Sequence, residues 1–343
     1  MLNLIVNKHF QFLWKLQSEK GTIEEFMSEP QKMGAIYWGL GSMEIISKTL
    51  DKEDLDAFCK QKRGILEFIM SCQVAIGDYN GMIGFSPNIG YEPTIVSTHY
   101  AILCLCILGE THLIDSESLS TWIASLQNAD GSFRGDMYGE CDTRFSYCAL
   151  SSLTILNKLD KIHLERCLNF LLRCYNLDGA FGSIPCSESH AAYTFCCVAS
   201  LALLNALHYI DIEKLAFWLC ERQLACGGFN GRPEKAPDVC YSWWIYSVLF
   251  IIGKTHYINK LALEKYILNA QDIEEGGISD RPGDISDVFH TFFGLSALSI
   301  IQKKTNLKKI DPIFAIPSVC IRNLNITYLG IESEDEFIED TLY

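Results

Sequence analysis

The segment Arg232-Pro-Glu-Lys-Ala-Pro-Asp-Val-Cys-Tyr241, taken with His290, carries the residue types that bind metals and anions. Asp238, Cys240 and His290 offer oxygen, sulfur and nitrogen, a mixed set that can complete a zinc site. Arg232, Lys235 and Tyr241 stand within a few residues of it. Zinc–thiolate chemistry beside an anion-binding group points to a thiol attacking a carbon whose leaving group is phosphate-like. Taken singly, Asp238 reads as a helix cap, Cys240 as core filler and His290 as a partly buried polar residue. Their matched places in adjacent repeats favour zinc. Asp287 aligns with Asp238; it is either a further ligand or, more naturally, a second N-cap.

The elements that must position these residues follow a repeat. Anchors at Phe85, Phe133, Phe181, Phe229 and Ile278 recur every 48 or 49 residues, preceded by Gln73, Gln127, Tyr175, Gln223 and Gln271. Such self-similarity marks units that cannot bury their hydrophobic faces alone. Each unit reads as two helices. The first is amphipathic, as in Ile162 to Cys174; the second is apolar all round, as in Ala191 to Leu204, and therefore buried. Glycines between them end helices. Alternating buried and half-exposed helices imply an inner ring inside an outer ring around a central cavity, with an open solenoid as the alternative. Strand signals are poor, and Gly77 to Glu92 reads as an irregular loop.

Composition narrows the function. The 343 residues are 49% hydrophobic with a net charge of −14, and no cluster of Lys and Arg would follow a nucleic-acid backbone, so nucleic acid is not an expected partner. Fifteen cysteines, an odd number without a CxxC pair, lie mostly in apolar helical runs. That indicates free thiols and a cytoplasmic location. No signal peptide is expected. Ala191 to Ile210 imitates a membrane span, but Asn205, His208 and its shorter repeat partners make it a buried inner helix, not an integral membrane segment. The organisation expected is an N-terminal segment 1–29, a helical body 30–325 and an acidic, solvated tail 326–343.

In a ring of repeats, the starts of the inner helices share one face. His190, Arg232, Lys235 and Tyr241 fall there, and fixed cations beside helix N-termini suit a diphosphate. Arg144, Tyr147, Cys196, Trp243, Trp244, Phe289 and Phe293 come from inner helices. A cavity lined by aromatics and capped by cations would suit a long apolar chain with an anionic head.

These segments resemble the β subunits of the protein prenyltransferase family, from about Pro30 to Ile316. Glu188-Ser-His190-Ala, Gly227-Gly-Phe-Asn-Gly-Arg232-Pro-Glu-Lys235, Pro237-Asp-Val-Cys-Tyr-Ser-Trp-Trp244 and Asp280-Arg-Pro-Gly-Asp284 are most similar to its type II, or Rab geranylgeranyltransferase, branch. The resemblance implies an all-α fold, the α/α toroid (α6/α6 barrel). It implies a catalytic zinc at Asp238, Cys240 and His290, and a diphosphate site at His190, Arg232, Lys235 and Tyr241. Arg144, Tyr147, Ala192, Cys196 and Trp244 match substrate-binding positions. Gly34 is a small residue expected to leave room at the pocket floor, while His99 stands where an aliphatic side chain is usual. An acidic residue at Asp280 goes with use of Mg²⁺ on the diphosphate. The partners implied are a helical α subunit in an obligate heterodimer, a Rab escort protein, Rab substrates and geranylgeranyl diphosphate.

The reaction expected is thioether formation, with zinc holding the incoming cysteine as thiolate and cations stabilising the departing diphosphate. Within the family the alternative is a farnesyl or type I geranylgeranyl transferase β subunit, and three rivals come from other classes. A terpene cyclase would need an acidic Asp-x-Asp-Asp cluster, which the chain lacks. A glycosidase would use paired carboxylates and leave Cys240 idle. A non-catalytic repeat scaffold would bind no zinc.

Overall fold

The computed structural model describes residues 3–16, 28–77, 81–302, 305–324 and 326. The tail beyond Ile326 lies outside the described residues. Six inner helices are α2 (Lys32–Ile46), α4 (Ile95–Leu108), α6 (Thr143–Ile155), α8 (Ala191–Leu203), α10 (Cys240–Ile251) and α12 (Val288–Ile301). Each packs on the next, and α12 packs on α2, so the ring closes. Six outer helices are α1 (Val6–Leu16), α3 (Lys52–Ser71), α5 (Ser116–Ser125), α7 (Leu164–Arg173), α9 (Ile212–Cys220) and α11 (Lys260–Asn269). Each packs on the inner helix that follows it in the chain. A short α13 (Ser318–Asn323) follows the ring. This is an α/α toroid, and closure removes the open solenoid from consideration.

The two helix types differ as their sequences require. On α8 every residue from Thr194 to Leu203 is buried, whereas α7 buries only Cys167, Phe170 and Leu171. Among the described residues no helix is long and apolar enough to cross a membrane. The cysteines are free, most of them buried among apolar neighbours.

Each anchor is fixed at a joint. Gln127 pairs with Phe133, Tyr175 with Phe181, Gln223 with Phe229 and Gln271 with Ile278 as single antiparallel bridges. In the first copy the bridge grows into a ribbon of β1 (Gln73–Ala75) and β2 (Ile83–Phe85). The reading of Gly77 to Glu92 as wholly irregular is corrected there; three-residue strands are too short to show an alternating pattern. Thirteen residues beyond each anchor stands a hydroxyl: Thr98, Ser146, Thr194, Ser242 and Thr291. The threonines accept from the anchor's N–H, at 2.9 Å for Phe85, 3.1 Å for Phe181 and 2.9 Å for Ile278. The hydroxyls of Ser146 and Ser242 are buried without a partner. β-branching restricts the threonine rotamer.

The two ends of the ring differ. On α8 partial exposure is confined to Ala192 and Tyr193, and on α12 to Val288, Phe289 and His290, all in the first turn. At the other end, Ile310 to Ile316 are all buried. Tyr37 donates to the Ala315 carbonyl and Tyr147 to that of Ile313, both at 2.6 Å. Lys308 and Lys62 both pair with buried Glu44. Burial works to raise the Glu44 carboxyl, but these two lysines hold it below its ordinary range. The starts of the inner helices thus form one rim of the ring, its mouth, with the segment from Ile310 to Ile316 packed inside the ring.

Thr194→Val should lower unfolding free energy by about 1–3 kcal/mol, because it leaves the buried Phe181 N–H unpaired. Ser146→Ala should be neutral or slightly stabilising, since that hydroxyl has nothing to lose. Urea denaturation of the two variants beside wild type checks both signs.

Candidate metal and anion site

The mouth is built from one repeated position. Thr94, Asp142, His190 and Asp287 are N-caps whose side chains accept from backbone N–H groups of the first turn. Asp238 occupies the same place in its repeat and accepts from the Cys240 N–H at 2.7 Å. The backbone N–H just inside each start reaches the loop of the next repeat: Ile95 to Gly135, Thr143 to Ser183, Ala191 to Gly231 and Val239 to Asp280. That last bond, 2.7 Å long, ties the Asp280 loop to the chain between Asp238 and Cys240.

Ligand atoms of Asp238, Cys240 and His290 all lie within 4.8 Å of one another, the only such group found among the described residues. His290 Nε2 is 3.2 Å from Asp238 Oδ1, and Nδ1 is 2.6 Å from Asp287 Oδ2. Asp287 is therefore the helix cap and the orienter of the imidazole. Carboxylate–imidazole pairs of this kind fix the ring of metal-binding histidines. Charge in the site is consistent with a cation. Burial works against a charged His290, yet the two carboxylates raise its pKa to about 9. Burial and the Asp238 carboxylate push the Cys240 thiol well above its ordinary value. Burial raises Asp238, but hydrogen bonds from His290 and Cys240 outweigh it and hold the carboxyl low. A divalent cation bound by these three residues would displace both protons. One thiol, one imidazole and one carboxylate fit zinc, and three protein ligands leave a position for an incoming group.

One repeat away, His190 Nδ1 accepts from the Ala192 N–H at 3.2 Å. The proton of the neutral ring then sits on Nε2, which lies 3.3 Å from the Tyr241 hydroxyl oxygen. Burial and nearby Arg232 lower the His190 pKa, keeping the ring neutral. Burial pushes the Tyr241 hydroxyl up to about 12, so it keeps its proton as a donor. Arg232 pairs with Glu188, and Lys235 is exposed on the same loop. Arg144 is gripped by Asp142, with Nε 3.1 and 3.0 Å from its two oxygens. Asp280 pairs with Arg281.

Below the mouth runs a closed belt of rings. Its links are Trp38–Tyr100 at 5.8 Å, Tyr100–His99 at 6.2 Å and His99–Tyr147 at 5.4 Å. It continues through Tyr147–Phe195 at 5.3 Å, Phe195–Trp244 at 4.9 Å and Trp244–Phe293 at 4.4 Å. Phe293–Phe289 at 4.7 Å and Phe289–Trp38 at 4.9 Å close it. Cys196 is buried beside it. Trp243, by contrast, is fully buried in the wall. His99 is buried, 3.2 Å from the Ser152 hydroxyl, and burial drops its pKa to about 3. It is a neutral wall residue. At Gly34 a Cβ would lie 3.2 Å from Tyr100 and 3.3 Å from Trp38. Its small size lets two rings close in rather than leaving room.

The prenyltransferase alpha-alpha toroid domain matches residues 4–316. The chain belongs to that family. The geranylgeranyl transferase type-2 subunit beta of Saccharomyces cerevisiae is 39% identical over 322 residues, spanning 92% of this chain and 95% of that one. The Candida albicans protein of the same name is 42% identical over 159 residues, 43% of this chain and 42% of its own. Among solved structures, Candida albicans protein geranylgeranyltransferase-I complexed with GGPP superposes with a TM-score of 0.80 at 24% identity, over 95% of this chain and all of that one. A type II terpene cyclase from Scytonema reaches 0.59 at 13% identity, over 87% and 96% of the two chains. Both likenesses show the toroid.

Two site features escaped the sequence reading. Tyr193, whose ring is 5.4 Å from His190, occupies the repeat position of Tyr241 and His290, so aligning the repeats by one more column would have found it. Glu188 was quoted only as part of a motif, and its pairing with Arg232 spans repeats and leaves no periodic trace.

At pH 7, binding of each zinc ion should release about two protons, one each from Cys240 and His290. Calorimetry in buffers of different ionisation enthalpy counts them. Asp287→Asn should weaken zinc about 10–100-fold, as loss of an outer partner does. An unchanged constant would remove Asp287 from the site.

Proposed function

We propose that this chain is the catalytic β subunit of a type II protein geranylgeranyltransferase, which transfers geranylgeranyl from its diphosphate to C-terminal cysteine thiols of Rab proteins. The observation that carries the reading is one mouth holding an Asp–Cys–His cluster beside a His–Tyr–Arg group, above a closed belt of aromatic rings. The near full-length similarity to the yeast protein supports the subtype.

Zinc bound at Asp238, Cys240 and His290 would supply the positive charge that keeps the incoming thiol ionised near neutral pH. The remaining work belongs to the chain. The aromatic belt holds the isoprenoid and excludes water, gaining roughly 0.8 kcal/mol for each buried methylene. The Ala192 N–H fixes the His190 tautomer, and His190 Nε2–H donates to the Tyr241 oxygen. That leaves the Tyr241 O–H to donate to the diphosphate. Arg232, released from Glu188, and Lys235 add charge where the leaving group gains it, while the N-termini of α8 and α10 add partial positive charge. A new C–S bond forms at C1 of the isoprenoid as the C–O bond breaks. Asp280 would place a Mg²⁺ ion on the diphosphate oxygens. We further assign a helical α subunit as obligate partner, delivery of Rab proteins by an escort protein, and action in the cytoplasm.

The test is single-turnover transfer to a Rab protein by the chain with its α subunit. Geranylgeranyl diphosphate should be preferred over farnesyl diphosphate; the reverse preference overturns the subtype. Tyr241→Phe should slow the chemical step by about 10²–10³ with little change in lipid affinity. Adding His190→Ala should cost little more, because the two side chains form one chain of hydrogen bonds.

A further inference from the structure

The ring closes through the first residues of the chain. At interior joints a polar side chain clasps the backbone ahead of the next outer helix. Gln127 bonds His163 O and accepts from His163 N, and Gln223 does the same with Asn259. Tyr175 accepts from Asp211 N. The clasped residues are 36 positions further on in each case. Gln271 breaks the series: it reaches back to Asn3 O at 3.3 Å and accepts from Ile5 N at 3.1 Å. The glycine seats agree. A Cβ on Gly227 would strike the Ala262 carbonyl at 2.3 Å, and one on Gly276 would strike that of Lys8 at 2.1 Å. Helix α1 thus serves as the outer buttress of the last joint, although the sequence sets residues 1–29 apart from the toroid.

This joint carries His9, a buried imidazole used by nothing described above. Its Nδ1 accepts from the Gly277 N–H at 3.0 Å. Its Nε2 is therefore the donor to Gln271 Oε1, also at 3.0 Å. Burial lowers its pKa to about 4, so the neutral form these bonds require is maintained. Gly277 adjoins Ile278, whose N–H is held by Thr291 and whose carbonyl accepts from Asp287 N at 3.3 Å. Asp287 in turn holds both the backbone N–H and Nδ1 of His290.

We propose that His9 is a positioning residue for the metal ligand His290, acting through Gly277, Ile278 and Asp287. The proposal rests on the reading of Asp238, Cys240 and His290 as a metal site. It makes the N-terminal helix part of the metal centre's support. Without His9, the Gly277 N–H is buried and unpaired, and the segment from Gly277 to Asp287 loses its register against α12.

The test measures zinc dissociation constants on the full-length chain by chelator competition. His9→Leu should weaken zinc at least about tenfold, at the low end for outer partners of a ligand. His9→Asn keeps an acceptor for Gly277 and should recover most of the affinity, remaining a few-fold weaker than wild type. Gln127→Leu breaks an equivalent clasp far from the cluster and should leave the constant unchanged. A wild-type constant in His9→Leu, or an equal loss in Gln127→Leu, overturns the proposal. Should His9→Leu fail to fold, His9→Asn decides, and an affinity equal to wild type overturns it. Amide exchange gives an arm independent of metal. His9→Asn should speed exchange at Gly277 and His290 but not at Ala192. If wild type binds no zinc, the metal-site reading fails, and unchanged exchange at His290 would then sink the role of His9 separately.

Discussion

Every inner helix begins with backbone N–H groups that have no partner within the helix, and six such starts crowd one rim of a closed ring. The rest of the structure depends on how they are satisfied. Five of the six starts use a side chain at one repeated position, and four of these five add a backbone bond to the next repeat's loop. Because those capping positions converge on the mouth, a residue recruited to cap a helix can also meet its counterpart from the neighbouring repeat. Asp238 both accepts from the Cys240 N–H and faces His290. His190 both caps α8 and meets Tyr241. In each case one side chain serves both as helix cap and as a contact in the mouth.

The same geometry explains why the mouth suits two opposite charges. Helix N-termini favour anions, and Arg232 and Lys235 add to that field. Asp238, Cys240 and Asp287 make a local exception that favours a cation. A bound cation beside an anion-binding rim can bring a thiolate toward a carbon bearing a diphosphate, whereas a cyclase or glycosidase reading leaves Cys240 without a task. The aromatic belt below is apolar, and its neutral buried His99 does not disturb that character.

Much of this was legible in the sequence. The 48-residue spacing of Phe85, Phe133, Phe181 and Phe229 reveals the repeats, and all-apolar second helices reveal an inner ring. Matching Asp238-Val-Cys with Asp287-Val-Phe-His290 places three candidate ligands on neighbouring helix starts. What was not legible has a common cause. Contacts between chain ends carry no period: Gln271 to Asn3 spans 268 residues, so the role of α1 is invisible until the ring closes. The consequence of a small residue is equally hidden. Gly34 admits a cavity or a ring with the same sequence, and only the packing of Tyr100 and Trp38 decides. The short ribbon at Gln73–Ala75 falls below the length at which alternation can be seen.

The central claim is that two neighbouring helix starts bring three residues onto one metal ion with a thiolate ligand. X-ray absorption on the purified protein tests it most directly. The account predicts about one zinc per chain with a single sulfur neighbour near ~2.3 Å and the remaining ligands nitrogen or oxygen at ~2.0–2.2 Å, the sulfur being lost in Cys240→Ala. A protein that purifies without zinc and takes up none, or whose zinc has no sulfur neighbour, would contradict it.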